Sequence, residues 1–253
     1  MSARFTVLGA GSILPRAGYG CAGYALRPSA EAPVTLLDCG PGSVRALGAA
    51  GIELGDVRRV VFSHYHTDHC LDLYALAFAR RNPAFAPVPA LERIGPRGLL
   101  RLVAGGTQAL GRWGDDPNAS TREVAPGEAF TADGARFTPV ATLHTPESVA
   151  WRVDLPGGAS LLYTGDTGEN PAVAALGEGV DLFVAECSFA DEEEAPHHLT
   201  PSSAARLARE AGARRLLLTH FYPGLEPAAA REVAARTFAG PIELAHDGYA
   251  IEL

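Results

Sequence analysis

The stretch Ser63-His64-Tyr65-His66-Thr67-Asp68-His69 constrains the fold of this chain more than any other. It follows Asp56-Val57-Arg58-Arg59-Val60-Val61-Phe62, which ends as a short apolar strand. It precedes Cys70-Leu71-Asp72-Leu73-Tyr74-Ala75-Leu76-Ala77, which reads as a helix. Three imidazoles and a carboxylate within the six residues from His64 to His69 therefore sit on a turn from strand to helix. Proteins of the α/β class place their chemistry at such turns. Imidazole nitrogen and carboxylate oxygen are ready ligands for zinc and other borderline metals, and so dense a set is hard to explain by packing. A metal site is expected here.

Other strand-like runs end in the same kind of residue. His144 follows Arg136-Phe137-Thr138-Pro139-Val140-Ala141-Thr142-Leu143, and Asp166 follows Ser160-Leu161-Leu162-Tyr163-Thr164-Gly165. His220 follows Arg214-Arg215-Leu216-Leu217-Leu218-Thr219. A core histidine is the usual reading of any one such position. The repetition at strand ends makes each of them a candidate ligand. A chain of 253 residues, 47% apolar, can bury a large core and is read as one domain over residues 1–253.

No apolar run approaches the roughly 18 residues of a membrane span. The start of the chain, Met1-Ser2-Ala3-Arg4-Phe5-Thr6-Val7-Leu8, enters a strand at once and lacks a signal-peptide pattern. Cys21, Cys39, Cys70 and Cys187 form no Cys-x-x-Cys pair, which fits reduced thiols and a cytoplasmic location. The formal charge is −8, and every basic residue is arginine. That balance argues against a broad grip on extended nucleic acid, which requires many neutralised phosphates. A small phosphodiester is not excluded, because bound metals would offset part of the charge. The run Asp191-Glu192-Glu193-Glu194 reads as a solvated loop.

Strands are expected near Phe5–Leu8, Cys21–Leu26, Val34–Leu37 and Val88–Leu91, and a helix from Ser43 to Ala50 stopped by Gly51. The helix after Asp68 is expected to reach about Arg81, and one opening at Gly95-Pro96-Arg97-Gly98 to break at Gly105-Gly106. Strands fill Thr121–Val153, and Pro156-Gly157-Gly158 turns a hairpin into Ala159–Thr164. Strand Asp181–Ala185, helix Pro201–Ala211 capped by Thr200, strand Arg215–Thr219, helix Glu226–Phe238 and two terminal strands complete the order. Gly9-Ala10-Gly11 lacks the helix and acidic residue of a dinucleotide loop and reads as a tight turn beneath the metal site. This pattern suggests two sheets between helix layers.

Taken together, Ser63–His69, His144, Gly165-Asp166-Thr167 and Thr219-His220-Phe221 resemble the metallo-β-lactamase superfamily, specifically its ribonuclease Z-like phosphodiesterase branch. Leu8-Gly9-Ala10-Gly11-Ser12, Leu37-Asp38-Cys39-Gly40-Pro41-Gly42, Gly95-Pro96 and His198-Leu199-Thr200 fit that branch. The resemblance spans nearly the whole chain. It implies an α/β, αββα fold with two mixed sheets sandwiched between helix layers. It also implies two divalent metal ions, zinc by default with manganese as the alternative. By resemblance, His64, His66 and His144 hold the first metal, Asp68, His69 and His220 the second, and Asp166 bridges them. Two such ions can activate a hydroxide against a phosphodiester.

Asp68 counts with the catalytic residues as well as the ligands, and His198 and Glu186 join it. In ribonuclease Z-like enzymes a histidine at the position of His198 approaches the scissile phosphate. It either binds a nonbridging oxygen or protonates the departing alkoxide. Glu186 could accept a hydrogen bond from His198, and Asp38 could orient a ligand imidazole. His197 and His246 read as surface or rim residues. Members of the branch that process transfer RNA carry a long arm between the equivalents of His144 and Asp166. Here these are only 22 positions apart, filled by a bare hairpin.

A small or medium phosphodiester is therefore the expected substrate. Lactone or thioester hydrolysis, ribonuclease Z-like RNA cleavage and a non-enzymatic metal-binding role are the alternatives. A homodimer is also expected, because relatives of the branch often pair. Leu91, Ile94, Leu99, Leu100, Leu102 and Val103 offer an apolar face for it, or else pack on the core.

Overall fold

The computed structural model describes residues 2–85 and 87–253. Its strands are β1 (Arg4–Gly9), β2 (Gly23–Arg27), β3 (Val34–Cys39), β4 (Val57–Val61), β5 (Leu91–Gly95), β6 (Ala119–Glu123), β7 (Phe130–Ala132), β8 (Ala135–Ala141), β9 (Val149–Asp154), β10 (Ser160–Tyr163), β11 (Leu182–Glu186), β12 (Leu216–Thr219), β13 (Ile242–Leu244) and β14 (Ala250–Glu252). They form two seven-stranded sheets, ordered β14-β1-β2-β3-β4-β5-β6 and β13-β12-β11-β10-β9-β8-β7. Each sheet is half antiparallel and half parallel. The first turns parallel from β3 to β6, the second from β10 to β13. The helices are α1 (Ser43–Ala49), α2 (Thr67–Cys70), α3 (Asp72–Arg80), α4 (Leu99–Leu110), α5 (Pro171–Leu176), α6 (Pro201–Glu210) and α7 (Pro227–Ala234).

The order of layers follows from the apolar runs. Strands buried on both faces read as continuous hydrophobic stretches, and successive side chains point to opposite faces. Leu37, Val61, Leu161, Val184 and Leu217 turn inward and join Phe5, Tyr24, Phe137 and Trp151 in the core between the sheets. Their neighbours Leu36 and Val60 turn outward to Leu47, Leu73, Leu76 and Leu99 of α1, α3 and α4. Leu162, Phe183, Leu216 and Leu218 turn outward to the α5–α7 layer. Three apolar layers between four structural layers make the αββα sandwich. Trp151, fully buried, also donates its indole N–H to the Phe62 carbonyl at 3.0 Å, pinning β9 to the chain leaving β4.

Several local expectations need correction. The helix after the histidine cluster comes in two pieces, α2 and α3, around Leu71, which keeps helical angles. The strand expected over Val88–Leu91 is instead Leu91–Gly95. Gly105-Gly106 does not break α4, which runs continuously through both. A Cβ on Gly106 would lie 2.1 Å from the Tyr74 ring, so glycine here lets α3 and α4 approach closely. Tyr74 uses that approach to donate its hydroxyl to Leu102 O at 2.7 Å. The last long helix stops at Ala234, short of Phe238. Helix α5 was not foreseen; Asn170 caps it through Ala172 N and Pro171 occupies its first turn.

The apolar face invoked for a dimer is largely interior. Ile94 is buried between the sheets, Leu91 and Leu99 are buried under the helices with Leu102 and Val103 packed against them, and Leu100 is left exposed. The hairpin between β9 and β10 is short, closed by Leu155 N donating to Ala159 O at 2.8 Å. Among the described residues no helix is long and apolar enough to cross a membrane.

Candidate metal centre

The parallel strands of both sheets bring their C-terminal ends to one edge, the usual place for a site in such folds. Beyond β4 the chain bends at Ser63 and runs without regular structure through His64 and His66 to α2. His66 stands at the N-terminus of α2 with extended angles, and Asp68 and His69 lie buried in that helix. From the other sheet come His144 after β8, Asp166 after β10, Glu186 ending β11 and His220 after β12. Gly165 lets the two sheets meet here. Its φ is +54°, and a Cβ would lie 2.6 Å from Ser63 Cβ. His220, itself at φ +58°, turns back over the edge, and Phe221 N after it donates to Ala10 O in the Gly9–Gly11 turn.

These side chains gather into overlapping groups. His64, His66, His144 and Asp166 offer ligand atoms all within 4.8 Å of one another, as do Asp68, His69 and His220. Asp166 lies between the groups. Its Oδ2 is 3.8 Å from His64 Nε2 and 3.7 Å from His144 Nε2, and its Oδ1 is 3.3 Å from His69 Nε2 and 3.7 Å from His220 Nε2.

The hydrogen bonds behind the rings fix their tautomers. His69 Nδ1 donates to Asp38 Oδ2 at 2.8 Å, and His144 Nδ1 to the His197 carbonyl at 3.0 Å. Ser63 Oγ and Ser188 Oγ give their own protons to Asp38 Oδ2 and Glu186 Oε2. Each hydroxyl is thus left to accept from a neighbouring ring, His64 Nδ1 at 3.0 Å and His220 Nδ1 at 3.1 Å. With Nδ1 carrying the proton, four Nε2 lone pairs converge on one carboxylate.

Such a convergence suits a cation. His69 Nε2 and His220 Nε2 approach to 3.1 Å, and His144 Nε2 lies 2.9 Å from His66 Nδ1. His64 Nε2 and Asp166 Oδ1 are buried without a hydrogen-bond partner among the described residues. Buried polar atoms are costly when unpaired. Nitrogen and oxygen donors at this spacing suit a pair of borderline dications.

The electrostatics divide the site. Burial lowers the pKa of His64 well below the ordinary imidazole value and that of His144 to about 4. Burial also opposes charge on His69, but Asp166 and Asp38 outweigh it and raise that ring well above the ordinary value. Burial would raise Asp68, yet the His220 ring, its Nε2 3.5 Å from Asp68 Oδ2, and the charge of His69 bring it down to about 2. For Asp166, burial is likewise overcome by His220 and His69, and it stays well below the ordinary carboxylate range.

Asp38 and Glu186 brace the two halves. Asp38, fully buried at φ +56°, accepts from Ser63 N at 2.7 Å, Ser63 Oγ at 2.6 Å, Tyr163 OH at 2.6 Å and His69. Glu186 accepts from Thr167 N at 2.8 Å and Ser188 Oγ at 2.5 Å, and its two oxygens lie 3.1 and 3.2 Å from His198 Nδ1. His198 Nδ1 is 3.9 Å from Asp166 Oδ2. Burial disfavours charge on His198, but Glu186 and then Asp166 raise its pKa above the ordinary value. His246 is exposed and pairs with Tyr249, apart from these groups. Ser63 and Thr167 lie within the motifs quoted from the sequence but were given no role there, and Tyr163 and Ser188 were not singled out, though each lies within two residues of a strand end or a marked residue.

Residues 35–221 match the family described as the beta-lactamase superfamily domain. The chain belongs to that superfamily, in its ribonuclease Z-like branch. Its fold and clustered His, Asp and Glu side chains are those of a metallo-hydrolase, consistent with a dinuclear centre. An uncharacterized protein of Mycobacterium leprae is 32% identical over 257 residues, covering 100% of this chain and 89% of the relative. The ribonuclease Z of Mycobacterium avium is 29% identical over 275 residues, covering 98% and 97%. Among solved structures, the metallo-beta-lactamase fold protein YhfI from Bacillus subtilis aligns over 100% of both chains with a TM-score of 0.89 and 25% identity.

Proposed function

We propose that the chain is a metal-dependent phosphodiesterase acting on small or medium phosphodiesters. In this reading His64, His66 and His144 hold one dication, Asp68, His69 and His220 hold another, and Asp166 touches both. Zinc is the expected ion. The observation that carries the reading is the convergence of Nε2 lone pairs on Asp166 with His198 braced on Glu186 beside them. His198 favours a phosphodiester over a lactone by resemblance, because a histidine at its position approaches the scissile phosphate in ribonuclease Z-like enzymes. The short β9–β10 hairpin and the charge of −8 favour a small substrate over transfer RNA.

When bound, the two dications supply an acidified water and positive charge for the transferring phosphoryl group. The chain's own residues do the rest. Asp38 keeps the His69 proton on Nδ1 and so keeps Nε2 free; Ser188 does the same for His220. Glu186 holds His198 by Nδ1 and favours its charged form, so His198 keeps a proton on Nε2 for the departing oxygen.

Protein stripped with a chelator and titrated with zinc is expected to regain hydrolysis of bis-p-nitrophenyl phosphate until about two equivalents per chain are bound. Saturation at a single equivalent would remove the dinuclear mechanism.

Acid should empty the two positions in order. The raised His69 binds a proton in the ion-free protein, so a dication at Asp68, His69 and His220 must displace it. Its affinity therefore falls as pH drops below the His69 pKa, by about tenfold per unit for one proton. Burial keeps His64 and His144 neutral to lower pH, so protons compete less for those two ligands. As the pH is lowered, equilibrium dialysis should show one metal lost before the other. Cobalt substitution should identify the survivor by the three-histidine spectrum. Loss of that metal first would contradict the assignment.

A further inference from the structure

Two aromatic residues beside the centre have no place in the packing of the fold. Phe189 and Tyr222 stack on one another, ring centroids 4.8 Å apart and planes 30° apart. Both are half-buried, and neither belongs to any of the three apolar cores. Their other aromatic neighbours are site histidines. Phe189 lies 5.4 Å from the His198 ring, and Tyr222 lies 6.2 Å from His198 and 5.7 Å from His220.

The backbone on either side is firmly held. Ser188 N donates to Leu199 O at 3.0 Å, and Phe221 N to Ala10 O at 3.0 Å. A fixed pair of rings with open surface, next to where a phosphate would be held, is built to receive another planar ring. Stacking also needs no cation, which suits an acidic chain without lysine. Every nucleobase offers a π-face.

We propose that Phe189 and Tyr222 form a stacking platform for the base of a nucleoside carried by the diester, which makes nucleoside-bearing phosphodiesters the preferred substrate class. This rests on the phosphodiesterase reading above.

The test compares thymidine 5′-(p-nitrophenyl phosphate) with methyl p-nitrophenyl phosphate, two diesters with one leaving group and different retained arms. Wild-type protein loaded with zinc should favour the nucleoside by roughly ten- to a hundredfold in kcat/KM, the usual worth of stacking on an aromatic side chain. Phe189→Leu and Tyr222→Leu keep apolar bulk without a ring, and each should bring the ratio towards one at unchanged zinc content. Tyr222→Phe should keep the ratio. A wild-type ratio near one, or a ratio that survives both leucine variants, would overturn the platform. Equal loss in Tyr222→Phe and Tyr222→Leu would assign the preference to the hydroxyl and also overturn it.

If neither diester is cleaved, the phosphodiesterase reading fails, and calorimetry of the zinc-loaded protein still decides the platform. Thymidine 5′-monophosphate should then bind more tightly than methyl phosphate, with the difference lost in the leucine variants. Equal affinities would reject it.

Discussion

Asp166→Ala is expected to release both metals and to abolish turnover, with a loss of about 10³-fold or more. Partners one bond removed from a metal are worth about 10–100-fold, and Asp166 faces ring nitrogens of both groups, 3.3 to 3.8 Å from four histidines. Removing it takes away the carboxylate that lies between the two clusters and leaves the lone pairs of His69 and His220 facing each other. Asp166→Asn keeps the volume and separates packing from charge: it should lose metal nearly as completely. Elemental analysis of both variants checks the claim. If one equivalent stays bound at wild-type affinity, Asp166 serves one metal and the bridge is wrong.

His198→Ala should behave differently. Turnover of diesters with poor leaving groups is expected to fall by roughly 10²-fold or more, the usual worth of a general acid. Metal content should not change, because His198 is held by Glu186 and lies outside both three-residue ligand sets. The loss should shrink for nitrophenyl esters, whose leaving group departs without a proton. An equal loss on good and poor leaving groups would assign His198 to contact with the phosphate in the transition state. Full activity on both would take it out of the chemistry, and with it the main reason to choose a phosphodiester over a lactone.

Much of the site could be read from the chain because parallel strands covered on both faces announce themselves. Leu161–Tyr163 and Leu216–Leu218 are apolar runs that end at the edge, so Asp166 and His220 stand out as departures just beyond them. The same logic picks out Asp38, although not its left-handed backbone. Tyr163 and Ser188 were missed for the converse reason. A buried tyrosine in a strand or a serine after one looks like ordinary packing, and only the three-dimensional approach of β3 to β10 gives Tyr163 a carboxylate to bond.

Local rules misled where packing overrode them. The glycines of α4 read as a break because intrinsic propensity disfavours them in helices, but the Tyr74 ring occupies the space a side chain would need. Helix α5 escaped notice because six residues are too few for a 3.6-residue period to show, even with Asn170 and Pro171 marking its start. The apolar segment after Pro89 was split between core and surface. Leu91 and Leu99 pack between sheet and helices and Ile94 between the sheets, so the residues that suggested a partner surface mostly serve the fold.

The central claim is that this site cleaves phosphodiesters, and one panel tests it directly. Zinc-loaded protein and the Asp166→Ala variant would be assayed side by side on simple phosphodiesters, lactones, thioesters and precursor transfer RNA. The account predicts zinc-dependent cleavage of the phosphodiesters, absent in the variant, with little processing of precursor transfer RNA. Preference for a lactone or thioester by orders of magnitude, with the same dependence on zinc and Asp166, would contradict it.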